Sequence, residues 1–193
     1  TGRYYLAVCD STGHGVPGAF MSLLNISFLN EAATEKNIAK PNEILNHVRQ
    51  RLIKTISQDG KQDGMDGILV CFENDTISYA AAHNAPVVIS DKKFTEYPTD
   101  KMPIGKGEKE ESFTLHTIKP KKGDVIYLYT DGYADQFGGS EGKKFMQKQL
   151  KELLFANHLL PMEKQKEILE NKFEDWRGKL EQVDDVTIIG IRI

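Results

Sequence analysis

The stretch Arg3-Tyr4-Tyr5-Leu6-Ala7-Val8-Cys9-Asp10-Ser11-Thr12-Gly13-His14-Gly15-Val16-Pro17-Gly18-Ala19-Phe20 holds the first decision about the fold. Residues 3–9 are an apolar, aromatic-rich run that reads as a strand. A glycine-rich turn follows. From Ala19 to Glu35, Phe20, Leu23, Leu24, Phe28 and Ala32 recur at helical spacing. Pro17 suits the first turn of that helix, where a missing N–H costs nothing. A second helix follows Pro41, with Ile44, Leu45, Val48, Leu52 and Ile56 three or four residues apart, and ends before the polar stretch Ser57 to Gly64. One strand is thus followed by two helices.

The period then changes. Ile68–Phe72, Thr76–Ala82, Pro86–Ile89 and Phe94–Tyr97 read as short strands separated by turn residues such as Asn74-Asp75 and Ser90-Asp91. Residues 112–118 alternate apolar and polar side chains, and Val125–Tyr129 is a strongly apolar strand after the turn Pro120-Lys121-Lys122-Gly123-Asp124. Helices are predicted over Lys143–Phe155 and Met162–Leu180, the second with Leu169, Phe173, Trp176 and Leu180 on one face. Val186–Ile193 closes the chain as a strand. This segregated order predicts an α+β fold with a largely antiparallel sheet rather than alternating βαβ units.

Composition narrows the function classes without choosing one. The 193 residues suit a single domain with its own core. Lys+Arg 25 against Asp+Glu 28 leaves a net charge of -3, which offers no broad cationic face for nucleic acid or an anionic membrane. No apolar run approaches the roughly 18 residues of a membrane span, and no signal peptide is recognisable. Cys9 and Cys71 lie in apolar runs and read as small buried hydrophobes in a reducing compartment. The expectation is a soluble, cytoplasmic protein.

The acids are placed more tellingly. Asp10 and Asp131 each follow the C-terminal end of an apolar strand, and Asp184-Asp185 precedes the last strand. An antiparallel last strand would bring all of them to one sheet edge. Clustered carboxylates repel unless a cation compensates, and oxygen-only clusters suit Mg2+ or Mn2+. Taken singly, each acid is also what commonly ends a strand in solvent. The loop Gly13-x-Gly15-x-x-Gly18 matches the dinucleotide-binding fingerprint, but that motif needs a second parallel strand ending in an acid about 20 residues on. Here that position falls in a helix, so a dinucleotide-binding oxidoreductase is the weaker alternative. The glycines serve either an anion at a helix N-terminus or a tight turn with no ligand.

The series from Asp10 to Ser22 resembles the signature of the SpoIIE-like branch of the metal-dependent protein phosphatases, the protein phosphatase 2C superfamily. The resemblance continues in order through Asp63-Gly64-Met65-Asp66, Tyr79-Ala80-Ala81-Ala82-His83-Asn84-Ala85-Pro86, Met102-Pro103-Ile104-Gly105, Gly123-Asp124, Tyr129-Thr130-Asp131-Gly132-Tyr133, Phe145 and Asp184-Asp185-Val186-Thr187. It covers residues 1–193 as one domain.

The resemblance implies a four-layer αββα sandwich, two mainly antiparallel sheets flanked by helices. It implies hydrolysis of phosphoserine or phosphothreonine on a bacterial regulatory protein, such as an anti-sigma-factor antagonist, by water activated between two Mn2+ or Mg2+ ions. Asp10 would bridge the ions, the Ser11 carbonyl would ligate one, and Asp131 and Asp184 would complete the set, with Asp185 a close second to Asp184. His14 would protonate the leaving oxygen or hold a metal's water, or else bond loop backbone. Asp63 and Asp66 fit a weak third metal or strand-end duty, and His83-Asn84 a turn between strands. The partners implied are a phosphorylated protein, an upstream sensor domain in a longer signalling protein, and room for a homodimer. The family's Gly-Asp-aromatic strand before the first one here has no match, and Thr1-Gly2-Arg3 leads abruptly into a strand. The expectation is a domain entered one strand late, with weak or absent activity for this stretch alone. The competing class is a non-catalytic signalling module that keeps the fold.

Overall fold

In the computed structural model, residues 2–13, 15–56 and 63–193 are described. The fold is α+β, and every named strand pair in it is antiparallel. The chain divides into two compact units.

The first unit comprises residues 1–85 and 97–120. Strand β1 (Arg3–Ser11) leads into helix α1 (Gly15–Asn30), whose last turn widens into a π-helical segment (Glu31–Glu35), and then into α2 (Pro41–Ile56). Strands β2 (Gly64–Glu73) and β3 (Thr76–Ala82) follow. After them β4 (Val87–Ser90) and β5 (Lys93–Glu96) belong to the second unit, and β6 (Ile104–Gly105) and β7 (His116–Ile118) to the first. The sheet runs β1-β2-β3-β7, with β6 paired to β2. Met21, Phe28 and Ala32 join Ile44, Leu45, Val48 and Leu52 of α2 in one apolar cluster with Met65, Leu69 and Ala80 of the sheet. Burial of these side chains is what holds two helices on the sheet; each of those larger than alanine contributes about 1.5–3 kcal/mol relative to exposure.

The second unit comprises residues 86–96 and 121–193. Its sheet runs β11-β8-β4-β5, with β8 (Val125–Tyr129) buried throughout and β11 (Ile188–Arg192) at one edge. A short helix α3 (Gly132–Asp135), a hairpin of β9 (Phe137–Gly138) and β10 (Lys143–Lys144), and helices α4 (Gln147–Asn157) and α5 (Met162–Arg177) complete it. Tyr133, Phe145 and Phe173 form an aromatic cluster with centroids about 5 Å apart, 5.1 Å for Tyr133–Phe145 and 5.0 Å for Tyr133–Phe173. Among the described residues no helix is long and apolar enough to cross a membrane.

Several sequence expectations shift. Phe20 and Leu23, at helical spacing with core residues, are each 64% exposed, and Val16 and Ile26 share their face. Residues 112–115 are not strand. Their backbone is taken by side chains instead: Phe113 N–H donates to Asn46 Oδ1 (3.0 Å) and Thr114 N–H to Asp100 Oδ2 (2.8 Å). Buried Arg49 stacks on Phe113 at 4.0 Å and donates to the Glu111 carbonyl. The helix expected from Lys143 starts at Gln147, because Phe145 and Met146 N–H groups bond Gln136 and Ala134 carbonyls. Helix α5 stops before Leu180 at Gly178, whose positive φ (57°) reverses the chain. The polar stretch 57–62 and His14 lie outside the described residues. The dinucleotide reading lacks its parallel strand: β1 pairs antiparallel with β2, after an intervening second helix.

Candidate metal centre

In the first unit, Asp10 and Ser11 are the last two residues of β1. Their placement is set by the residue after them. Thr12 N–H donates to the Gly64 carbonyl (3.0 Å), and its hydroxyl both donates to that carbonyl (2.5 Å) and accepts from Gly64 N–H (2.7 Å). The strand end is thereby clamped to the start of β2. Ser11 Oγ accepts from Nδ2 of the buried Asn25 (2.9 Å), which ties α1 to the same end. The glycine loop folds so tightly that a Cβ on Gly18 would lie 2.6 Å from the Gly13 carbonyl oxygen. A tight turn therefore accounts for Gly18 without a ligand.

The register sets Asp66 of β2 opposite Asp10. Directly opposed residues of an antiparallel pair point to the same face. Asp66 Oδ1 lies 2.8 Å from Nδ1 of His83, so the carboxylate opposite Asp10 carries an imidazole partner. Neither Asp66 nor His83 stood in the principal expected ligand set. The clue in the sequence was Asp66 in a mixed apolar strand and His83 directly after one, and only the register joins them.

Cys9 precedes Asp10, and burial, reinforced by the neighbouring carboxylate, pushes its thiol up to about 12. Burial raises Cys71 as well. Both stay thiols near neutral pH, as the packing role expects.

In the second unit, Asp131 follows β8 and heads α3, its carbonyl accepting from Asp135 N–H (3.0 Å). The β8–β11 pairing is antiparallel, with Ile188 opposite Tyr129, as the reading of the acids required of these two strands; β1, which ends in Asp10, belongs to the other sheet, so the expectation of a single sheet edge fails. Thr130 continues the ladder. Its N–H donates to the Thr187 carbonyl (3.1 Å), its hydroxyl accepts from Thr187 N–H (3.2 Å) and donates to the Asp185 carbonyl (3.3 Å). Asp184 is thus folded back beside the segment Asp131-Gly132: a Cβ built on Gly132 would lie 3.4 Å from Asp184 Cβ and 2.3 Å from the Asp185 carbonyl oxygen. Asp184 Oδ1 accepts from Asp185 N–H (2.8 Å).

Sequence reading missed the residue that fastens this loop. Gln136 is fully buried; its Nε2 donates to the Glu181 carbonyl (2.9 Å) and its Oε1 accepts from Val183 N–H (3.2 Å). It stands directly after Asp135 in the sequence, and no local pattern marks it.

The donor set fits the expected metals. Carboxylates and a backbone carbonyl are hard oxygen ligands, which favour Mg2+ or Mn2+ over softer ions. His14 lies outside the described residues, so its role is carried by sequence alone.

The sequence matches the stage II sporulation protein E (SpoIIE) family over residues 1–193. No curated protein matches it. Among solved structures, the SiaA PP2C domain of Pseudomonas aeruginosa is similar, at 25% identity and a TM-score of 0.87, covering 99% of this chain and 80% of that one. The PP2C phosphatase domain with a fragment of the regulatory domain of the cell fate determinant SpoIIE from Bacillus subtilis is similar at 17% identity and a TM-score of 0.75, covering 99% and 55%. This chain spans about half the length of that one. RsbX in complex with magnesium shares the fold at 14% identity and a TM-score of 0.63, covering 97% and 80%. The chain therefore belongs to the SpoIIE family and has the fold of PP2C-type phosphatase domains.

Proposed function

We propose that this domain hydrolyses phosphoserine or phosphothreonine on a regulatory protein, with two Mn2+ or Mg2+ ions held by Asp10, the Ser11 carbonyl, Asp131 and Asp184. The observation that carries the reading is the antiparallel β8–β11 pairing, which folds Asp184 back against the Asp131-Gly132 segment. Two carboxylates on adjoining backbone are donors for a hard divalent cation, and the acid that ends β1 is the further ligand of this reading. Family membership and the magnesium complex of the related RsbX support the same chemistry.

When bound, the two ions would polarise the phosphoryl oxygens and lower the pKa of water. The chain's own residues do the rest. Asp10, the Ser11 carbonyl, Asp131 and Asp184 would hold the ions, and Thr130 and Gln136 keep the Asp184 loop in place. His14 is the candidate that the sequence offers for orienting water or moving a proton. Direct attack by water needs no Ser or Cys nucleophile, consistent with the raised Cys9 thiol. In the longer signalling protein, an upstream sensor domain would govern this domain, in keeping with the regulatory-domain fragment in the SpoIIE relative.

The test is Mn2+-dependent release of phosphate from a phosphoserine protein and from p-nitrophenyl phosphate, with and without EDTA. It uses this chain and one extended upstream by about one strand-turn unit. Asp10→Ala or Asp131→Ala is expected to lower kcat about 100-fold or more with the fold intact by circular dichroism. No Mn2+-dependent activity in the longer chain would remove the enzyme reading in favour of a non-catalytic module.

A further inference from the structure

The Asp66–His83 pair has no part in the ligand set, and its geometry is more than a turn needs. His83 ends β3 with φ +58°, a left-handed conformation that side-chain-bearing residues adopt sparingly. Asn84 N–H closes a three-residue turn on the Ala82 carbonyl (2.6 Å). The backbone is pinned by its other neighbour, with His83 N–H donating to the Asp100 carbonyl (2.9 Å) and Asp100 N–H to the Ala81 carbonyl (3.0 Å). Strained conformations that the surroundings over-determine gather at functional sites.

The side chain so placed has a defined chemistry. A carboxylate only accepts hydrogen bonds, so the 2.8 Å contact to Asp66 puts a proton on His83 Nδ1. Nε2 is then the nitrogen turned away from the carboxylate, placed to exchange a proton with a substrate. The His83 side chain is 39% exposed, within reach of a ligand. Asp10 lies opposite Asp66 across the strand pair, and Asp100, whose carboxylate accepts from Thr114 N–H and hydroxyl, bonds the His83 backbone.

We infer that His83, oriented by Asp66, is the proton donor to the leaving serine or threonine oxygen; this rests on the phosphatase reading above. A water oxygen forms the new bond to phosphorus while the bond from phosphorus to the substrate oxygen breaks with its electron pair. The proton on His83 Nε2 passes to that oxygen, giving a neutral alcohol. The proton released by the attacking water goes to solvent, and solvent restores the imidazolium, leaving phosphate and the free hydroxyl.

The experiment exploits the leaving group. Alkoxide departure from phosphoserine needs a proton, whereas p-nitrophenolate departs as a stable anion. His83→Asn keeps a residue that tolerates positive φ and so preserves the turn. It is expected to lower kcat on a phosphoserine peptide about 100-fold, with KM little changed, and to change kcat on p-nitrophenyl phosphate less than about threefold. Asp66→Asn, which keeps an acceptor for Nδ1 but removes the charge, is expected to lower the peptide rate alone, about tenfold. Equal losses on both substrates, or none, overturn the role of His83. The same signature in His14→Asn with none in His83→Asn transfers the proton to His14 and also overturns it. All variants are made in the chain extended upstream by about one strand-turn unit, and a wild-type chain of that length inactive on both substrates removes the phosphatase reading and this role with it.

Discussion

A β-carbon at Gly132 would sit 2.3 Å from the backbone carbonyl oxygen of Asp185. The obstacle is main chain, so relief requires the Asp184-Asp185 segment to move rather than a side chain to rotate. Gly132→Ala is therefore expected to destabilise by about 1–3 kcal/mol, the usual range for overpacking. It should also weaken Mn2+ binding, because Asp184 lies on the displaced segment; calorimetric titration with Mn2+ checks both the affinity and, by melting, the stability. Asp10, Asp131 and Asp184 were legible as single residues because each adjoins an apolar run whose strand character local composition specifies. Gln136 and the Asp66–His83 bond were not, since their partners lie 47 and 17 residues away and no local pattern marks them.

At the scale of elements, α1 shows where periodicity fails. Apolar side chains occupy both its faces: Met21 and Phe28 are buried, while Val16, Phe20, Leu23 and Ile26 are exposed. A helix apolar nearly all round cannot name its own core face. What fixes α1 is its continuation, the π-helical segment Glu31–Glu35. Glu31 accepts from Arg51 of α2 and lies 3.1 Å from His47 Nε2, and Arg51 covers the Phe28 ring at 4.7 Å. Partial burial pushes the Glu31 carboxyl up, but the His47 hydrogen bond and the Arg51 charge outweigh it and hold the group below its ordinary value near 4.5. A carboxyl lowered in the folded state adds stability above that ordinary value, and loses it as pH falls through the lowered one. Glu31→Gln is thus expected to destabilise at neutral pH and to converge on wild type in the acid limb. Urea midpoints measured between pH 7 and pH 3 would check this.

For the molecule as a whole, bound ions and folding are linked. Ions that bind the native carboxylates and not the unfolded chain add about 2.7 kcal/mol at a hundredfold excess over the dissociation constant. For a chain of this size that corresponds to a rise of roughly 5–10 °C in Tm. Mn2+ is expected to give such a rise, EDTA to reverse it, and Asp10→Ala or Asp131→Ala to abolish it; scanning calorimetry reads all three. The composition, with its small acid excess, gave no sign of this dependence, because net charge averages over positions and a metal site depends on where a few carboxylates fall.

The sequence by itself determined the α+β class, the order of the main elements and the acids at the strand ends. Those features are local: apolar spacing, turn residues and the residue that follows a strand are decided by near neighbours. Tertiary structure decided which face of α1 is buried, that residues 112–115 give their backbone hydrogen bonds to side chains rather than to a strand, that Asp184 folds back on Gly132, and that His83 meets the acid opposite Asp10. Each of these depends on strand register and on packing between residues distant along the chain. A shift of one residue in a strand pair would turn every side chain to the other face, and no local period records which register is taken.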